Sequence, residues 1–152
     1  LDVNADMFRQ QQKFTIESFQ SRKTRLVNSD HIGGRAATVG YGLWAMNLTG
    51  ETPNELTEAM AGYLLSLQQE DGSWQPPSHR PPLESSAVSC TVLVAWGLKS
   101  FASESQRDRV KLATERARHW LTSPPLREQE DINFALWGEK LLEGNPMRIQ
   151  LL

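Results

Sequence analysis

Residues Tyr63–Pro77 read YLLSLQQEDGSWQPP. A helix-forming run ends here in an acidic turn, a glycine and a tryptophan, and the chain then enters a proline-rich loop. Gly72 stands where the helix must stop, at the position that favours a left-handed residue. Gln68 sits near the helix end, where backbone groups lack intrahelical partners and a side-chain amide can bond them. Trp74 is placed to lay its ring over that glutamine and keep water from those bonds. The stretch is expected to act as a structural clasp that ties one helix to the start of the next.

The helix leading into the clasp spans about Pro53–Gln69, with Thr52 as its N-cap and Pro53 in its first turn. Leu56, Met60, Tyr63, Leu64 and Leu67 recur at helical spacing and form an apolar stripe. Five further helices are expected. The first covers about Val3–Arg25, with a weak stripe of Phe8, Ile16 and Phe19, and the second covers about Arg35–Leu48, entered through Gly33-Gly34. A helix over about Ser86–Ser100 follows the clasp, capped by Ser85 or Glu84. The next, about Ser105–Thr122, carries Val110, Ala113, Ala117, Trp120 and Leu121 on one face and stops at Pro124-Pro125. The last spans about Glu128–Glu143, with Phe134, Trp137 and Leu141 on one side and Gly144 closing it. Val and Ile never alternate with polar residues over a useful length, so nothing reads as a strand.

The charge pattern orders these helices. Ala36–Gly50 and Ser85–Leu98 carry no charge over 15 and 14 residues. A helix that is apolar all round must be surrounded by protein, whereas an amphipathic one covers it from outside. The 35–48 and 86–100 helices are therefore expected to be inner, with Ile132–Gly138 marking a third. The helices over 53–69 and 105–122 are expected to be outer; the latter holds Arg107, Asp108, Arg109, Lys111, Glu115, Arg116 and Arg118. Small residues (Gly40, Gly42, Ala95, Gly97) allow inner helices to approach closely. Each inner helix also carries a tryptophan in a similar setting, GLWAM, VAWGL and ALWGE, with Trp96 falling 52 residues after Trp44 and Trp137 41 after Trp96. Such periods indicate stacked helical hairpins, here about 35–69, 84–122 and 128–152, within one all-α domain spanning 1–152.

Composition narrows function less than fold. The chain has 152 residues, 39% hydrophobic and 22% charged, and a net charge of -2, as in an ordinary soluble globular chain. No basic excess or basic–aromatic stripe points to nucleic acid. The uncharged runs are shorter than the roughly 20 residues a bilayer span requires. Cys90 is the one cysteine, which excludes an intrachain disulfide and a cysteine-rich zinc site. The chain begins with Leu1 rather than Met, and Pro146–Leu152 reads as the start of another helix, so a processed or partial chain is expected.

The residues Tyr63, Gln68, Asp71, Gly72 and Trp74 resemble the QW motif of the squalene cyclase and prenyltransferase repeats. Arg80–Leu98 resembles the loop and inner helix that follow this motif in bacterial members, and the likeness extends over roughly Arg35–Leu142. It implies an α/α toroid, an inner ring of helices inside an outer ring, of which this chain would supply about three hairpins. Position 124, where a second motif glutamine would stand, is proline. A partial ring exposes apolar faces at its ends, so self-association or contact with the rest of a larger protein is expected. The compartment is left open between bacterial cytoplasm and periplasm.

Triterpene cyclases of that family use an Asp-x-Asp-Asp acid motif, and no such motif occurs here. Glu70-Asp71 belongs to the clasp, and Glu130-Asp131 is placed to begin the last helix, where acids complement the dipole. Protein prenyltransferases of the family hold zinc through Asp, Cys and His. Here no Asp-x-Cys precedes Cys90, and His31, His79 and His119 lie in separate elements, so Cys90 reads as a small buried hydrophobe and no metal or other cofactor is expected. Ser85-Ser86 reads as a helix cap, since no nucleophile elbow surrounds it. His79-Arg80 lies in a proline-rich surface loop. Tyr41, Trp44, Trp96 and Trp137 have two readings, ordinary packing and the lining of an apolar cavity. Two functions follow: a non-catalytic scaffold or binding segment of a larger bacterial protein, or part of a terpene cyclase- or prenyltransferase-like enzyme that binds an apolar isoprenoid.

Overall fold

A computed structural model describes residues 5–78, 86–122, 124 and 126–142. Over these residues the chain is all-α, with no strand. Its elements are α1 (Ala5–Gln20), α2 (Lys23–Val27), α3 (Arg35–Leu48), α4 (Glu55–Ser66), α5 (Ala87–Phe101), a 3-10 turn (Glu104–Gln106), α6 (Arg107–Trp120) and α7 (Gln129–Leu141). Among the described residues no helix is long and apolar enough to cross a membrane.

The helix boundaries follow local chemistry more finely than the periodicity suggests. The single helix expected over Val3–Arg25 is two, because the chain turns at Ser21-Arg22 and brings Leu26 into the core. The cap of α4 is Asn54 and not Thr52. Asn54 Oδ1 accepts from the N–H groups of Leu56 (2.9 Å) and Thr57 (3.1 Å). The Asn54 N–H in turn donates to Thr57 Oγ1 at 2.8 Å. This reciprocal box places Pro53 outside the helix. Ser86 forms the same kind of box with Ser89 at the start of α5, so the cap is neither Ser85 nor Glu84. The helix expected from Ser105 opens instead with the 3-10 turn, and α7 ends at Leu141. Pro125, Gly144 and the segment Pro146–Leu152 lie outside the described residues.

Helix α5 is the centre of the packing. Eleven of its 15 residues are buried, and it touches α3, α4, α6 and α7. The order of neighbours gives two layers: α3, α5 and α7 side by side, with α4 and α6 behind them. A Cβ at Gly97 would lie 2.8 Å from Leu43 Cδ1, and one at Gly138 would lie 2.8 Å from Val92 Cγ2. Glycine at these two points is what lets α3 and α7 close on α5. Helix α6 turns Val110, Ala113 and Ala117 inward and leaves its charged side to solvent. Gly42 serves a different neighbour, since a Cβ there would strike the Phe19 ring of α1.

The Gln68–Trp74 stretch joins three helices. Gln68 Nε2 donates to the carbonyls of Gly72 (2.9 Å) and Ala113 (2.8 Å), bridging the end of α4 to α6. Arg116 adds bonds from α6 to the carbonyls of Gln69 (3.0 Å) and Glu70 (2.7 Å). Asp71 Oδ1 accepts from the Ser73 N–H at 2.9 Å and from its hydroxyl at 2.7 Å, which shapes the turn. Trp74 is fully buried and donates from Nε1 to the Leu64 carbonyl at 2.7 Å. Its own N–H donates to Thr91 Oγ1 of α5 at 2.9 Å. Tyr63 is buried beside them in the same core cluster. The indole thus seals the end of α4 through Leu64 and ties to α5 through its backbone, while the glutamine ties to α6.

Candidate functional site: an aromatic face on the α3–α5–α7 layer

Tyr41 and Trp44 stand one turn apart on α3, and Trp96 and Trp137 occupy the adjoining faces of α5 and α7. The three tryptophans meet edge to face. Trp44 lies 6.3 Å from Trp96 and 6.2 Å from Trp137, and Trp96 lies 4.3 Å from Trp137, between ring centroids. Tyr41 extends the group at 6.2 Å from Trp44, and Phe134 extends it at 5.6 Å from Trp137. Edge-to-face contact sets the positive rim of one ring on the negative face of the next. It also offers the Trp44 Nε1–H, which is buried with no hydrogen-bond partner among the described residues, π faces nearby. The three recurring tryptophans therefore form one aromatic group that links successive helices of the layer.

Helix α1 widens this face, which the weak stripe of α1 did not reveal. Phe8, Gln11, Gln12 and Thr15 of α1 enclose a cleft of about 140 Å³ with Trp44 and Leu48. Phe14 and Phe19 border a second, of about 360 Å³, with Tyr41 and Trp44. Met7, Phe8, Phe14, Tyr41 and Leu48 are five of the eight exposed large hydrophobics of the described chain, and all five belong to α1 and α3. The signal in the sequence was Phe8 and Phe14, the first in the weak stripe of α1 and the second a further large apolar residue on that helix. Trp96 and Trp137 are half-buried and border neither cleft. Tyr41 is the titrating group here. Burial raises the pKa of its hydroxyl, and the charge of Glu130, then that of Cys90, pushes in the same direction, so it stays a neutral donor.

The other candidates lie elsewhere and are committed to structure. Cys90 is fully buried in the main core cluster. Burial pushes its thiol up to about 12 from an ordinary 9.0. In the native protein it is expected to resist iodoacetamide at pH 8 and to react fully once urea unfolds the chain. A folded pKa above the unfolded one favours the folded state at low pH, so this contribution is lost as pH rises from about 9 towards 12. Asp131 Oδ2 accepts from the N–H groups of Arg127 (2.8 Å) and Glu128 (3.1 Å) and caps α7. A third cleft, about 360 Å³, is bordered by Asp71, Ser86, Arg127 and Asp131. His31 and His119 are exposed and far apart in the chain, and His79, Arg80 and Ser85 lie outside the described residues. Among the described residues no group of three His, Cys, Asp or Glu side chains is arranged to hold a metal ion.

No protein-family model matches the chain, and neither the curated proteins nor the solved structures yield a match.

Proposed function

We propose that this chain is a non-catalytic binding segment of an α/α-toroid-type repeat protein, and that the aromatic face of its α3–α5–α7 layer, widened by α1, holds an apolar ligand. The observation that carries this reading is the continuity of that face. Phe14, Tyr41, Trp44, Trp96, Trp137 and Phe134 follow one another across four helices. Concentrated apolar surface of this kind marks interaction sites in soluble proteins, and a 360 Å³ cleft falls within the size range of small-molecule pockets. The recurrence of one tryptophan per inner helix supports the toroid reading. On that reading the half-buried Ile132, Leu136 and Leu141 of α7 receive the next hairpin of the parent protein.

Titration with farnesol, followed by tryptophan fluorescence, tests the proposal. Saturable binding is expected, and Trp44→Ala should weaken it about tenfold or more by removing the ring shared by both clefts. A linear, non-saturating response in the unaltered protein would dismiss the face as a binding surface. Wild-type affinity in a folded Trp44→Ala protein would place the ligand elsewhere.

A further inference from the structure

The larger cleft between α1 and α3 is not uniformly apolar. Beside Phe14 and Trp44 it is bordered by Arg22, Ser18, Thr38 and Tyr41. None of these four polar side chains bonds to another described residue. Arg9 pairs with Asp6, Lys13 with Glu17 and Lys23 with Glu55, whereas Arg22, like Arg25 and Arg35, has no acidic partner among the described residues; of these three only Arg22 borders the cleft. Among the described residues Arg22 is therefore an unpaired, exposed cation beside an aromatic slot, with hydroxyl donors on the same walls.

We infer that this cleft takes the head group of an amphiphile bearing a single carboxylate, with Arg22 as its counter-ion, the Ser18 and Thr38 hydroxyls as further donors, and the apolar chain running along the aromatic face past Trp44. The inference rests on the reading of that face as a surface for an apolar ligand. A guanidinium offers two parallel N–H groups that match the two oxygens of a carboxylate. Arg22 is the one cation among the residues bordering the cleft, and it balances one negative charge. A phosphomonoester would bring about two charges at neutral pH.

The test compares dodecanoate, dodecanol and dodecyl phosphate at pH 8, with tryptophan fluorescence as the readout. Dodecanoate is expected to bind about tenfold or more tightly than dodecanol. Arg22→Gln should bring dodecanoate to the level of dodecanol and leave dodecanol unchanged, and Arg22→Lys should restore part of the difference. Arg22 is exposed, so both variants are expected to keep the wild-type circular dichroism spectrum. Equal binding of dodecanoate and dodecanol overturns the head-group assignment and leaves the apolar face standing. Tighter binding of dodecyl phosphate than of dodecanoate overturns the single-carboxylate assignment. Saturation by none of the three removes both this inference and the reading it rests on.

Discussion

Trp74→Ala is expected to lower the unfolding free energy by about 3–5 kcal/mol, the range for deleting a large buried aromatic side chain. Three losses combine at this position. The indole is fully buried in the main cluster, which also holds Tyr63, Leu64 and Ala117, so its removal opens a cavity in the core. The bond from Nε1 to the Leu64 carbonyl disappears. The backbone bonds between Trp74 and Thr91 then lose the packing that holds them in register. Trp74→Phe is the milder change, since it keeps one six-membered aromatic ring but loses the N–H and the rest of the bicycle. It should cost about 1–3 kcal/mol, from the space left by the smaller ring and the lost N–H bond, the Leu64 carbonyl keeping its bond from the Leu67 N–H. Urea denaturation followed by far-UV circular dichroism measures both. A change below about 0.5 kcal/mol for Trp74→Ala, the scale of surface substitutions, would contradict the clasp.

Gly72→Ala is expected to cost about 2–4 kcal/mol, for two independent reasons. Gly72 has φ +95, a conformation that side-chain-bearing residues rarely adopt. A Cβ there would also fall 2.6 Å from the Arg116 carbonyl oxygen and 2.8 Å from its carbon. Backbone cannot yield as a flexible side chain can. The turn must therefore move away from α6, stretching the Gln68–Ala113 and Arg116–Glu70 bonds together. Because these bonds share the moved turn, Gly72→Ala combined with Gln68→Ala should cost less than the sum of the single changes. Strict additivity in that double-mutant cycle would show that the turn and the glutamine bridge act separately.

Much of the architecture is legible in local patterns. Helix α5 is uncharged along its apolar length, and a helix without a polar face has to be enclosed; it is the most buried element. Helix α6 displays its charges on one side because Val110, Ala113 and Ala117 recur at helical spacing, and that side faces solvent. The glycine that ends the α4 stretch announces the turn, since few other residues tolerate its φ. These features depend on chemistry within a few residues, and a one-dimensional reading reaches them.

Other features depend on distant partners. The carbonyl that Gln68 reaches belongs to Ala113, 45 residues away, and no local signal names it. The break after Gln20 turns on the burial of Leu26 in the core. Periodicity showed that Trp44, Trp96 and Trp137 recur, but a repeat along the chain does not say whether three rings point together or apart. Their convergence follows from glycines that let α3 and α7 close on α5. The clefts beside them needed α1, whose own stripe was too weak to place it. Sequence alone determined that this is a helical chain with an enclosed helix, α5, and a glycine turn after α4, because those properties are local. Tertiary structure alone decided which aromatic and polar groups share a surface, because that depends on how closely helices remote in sequence can approach.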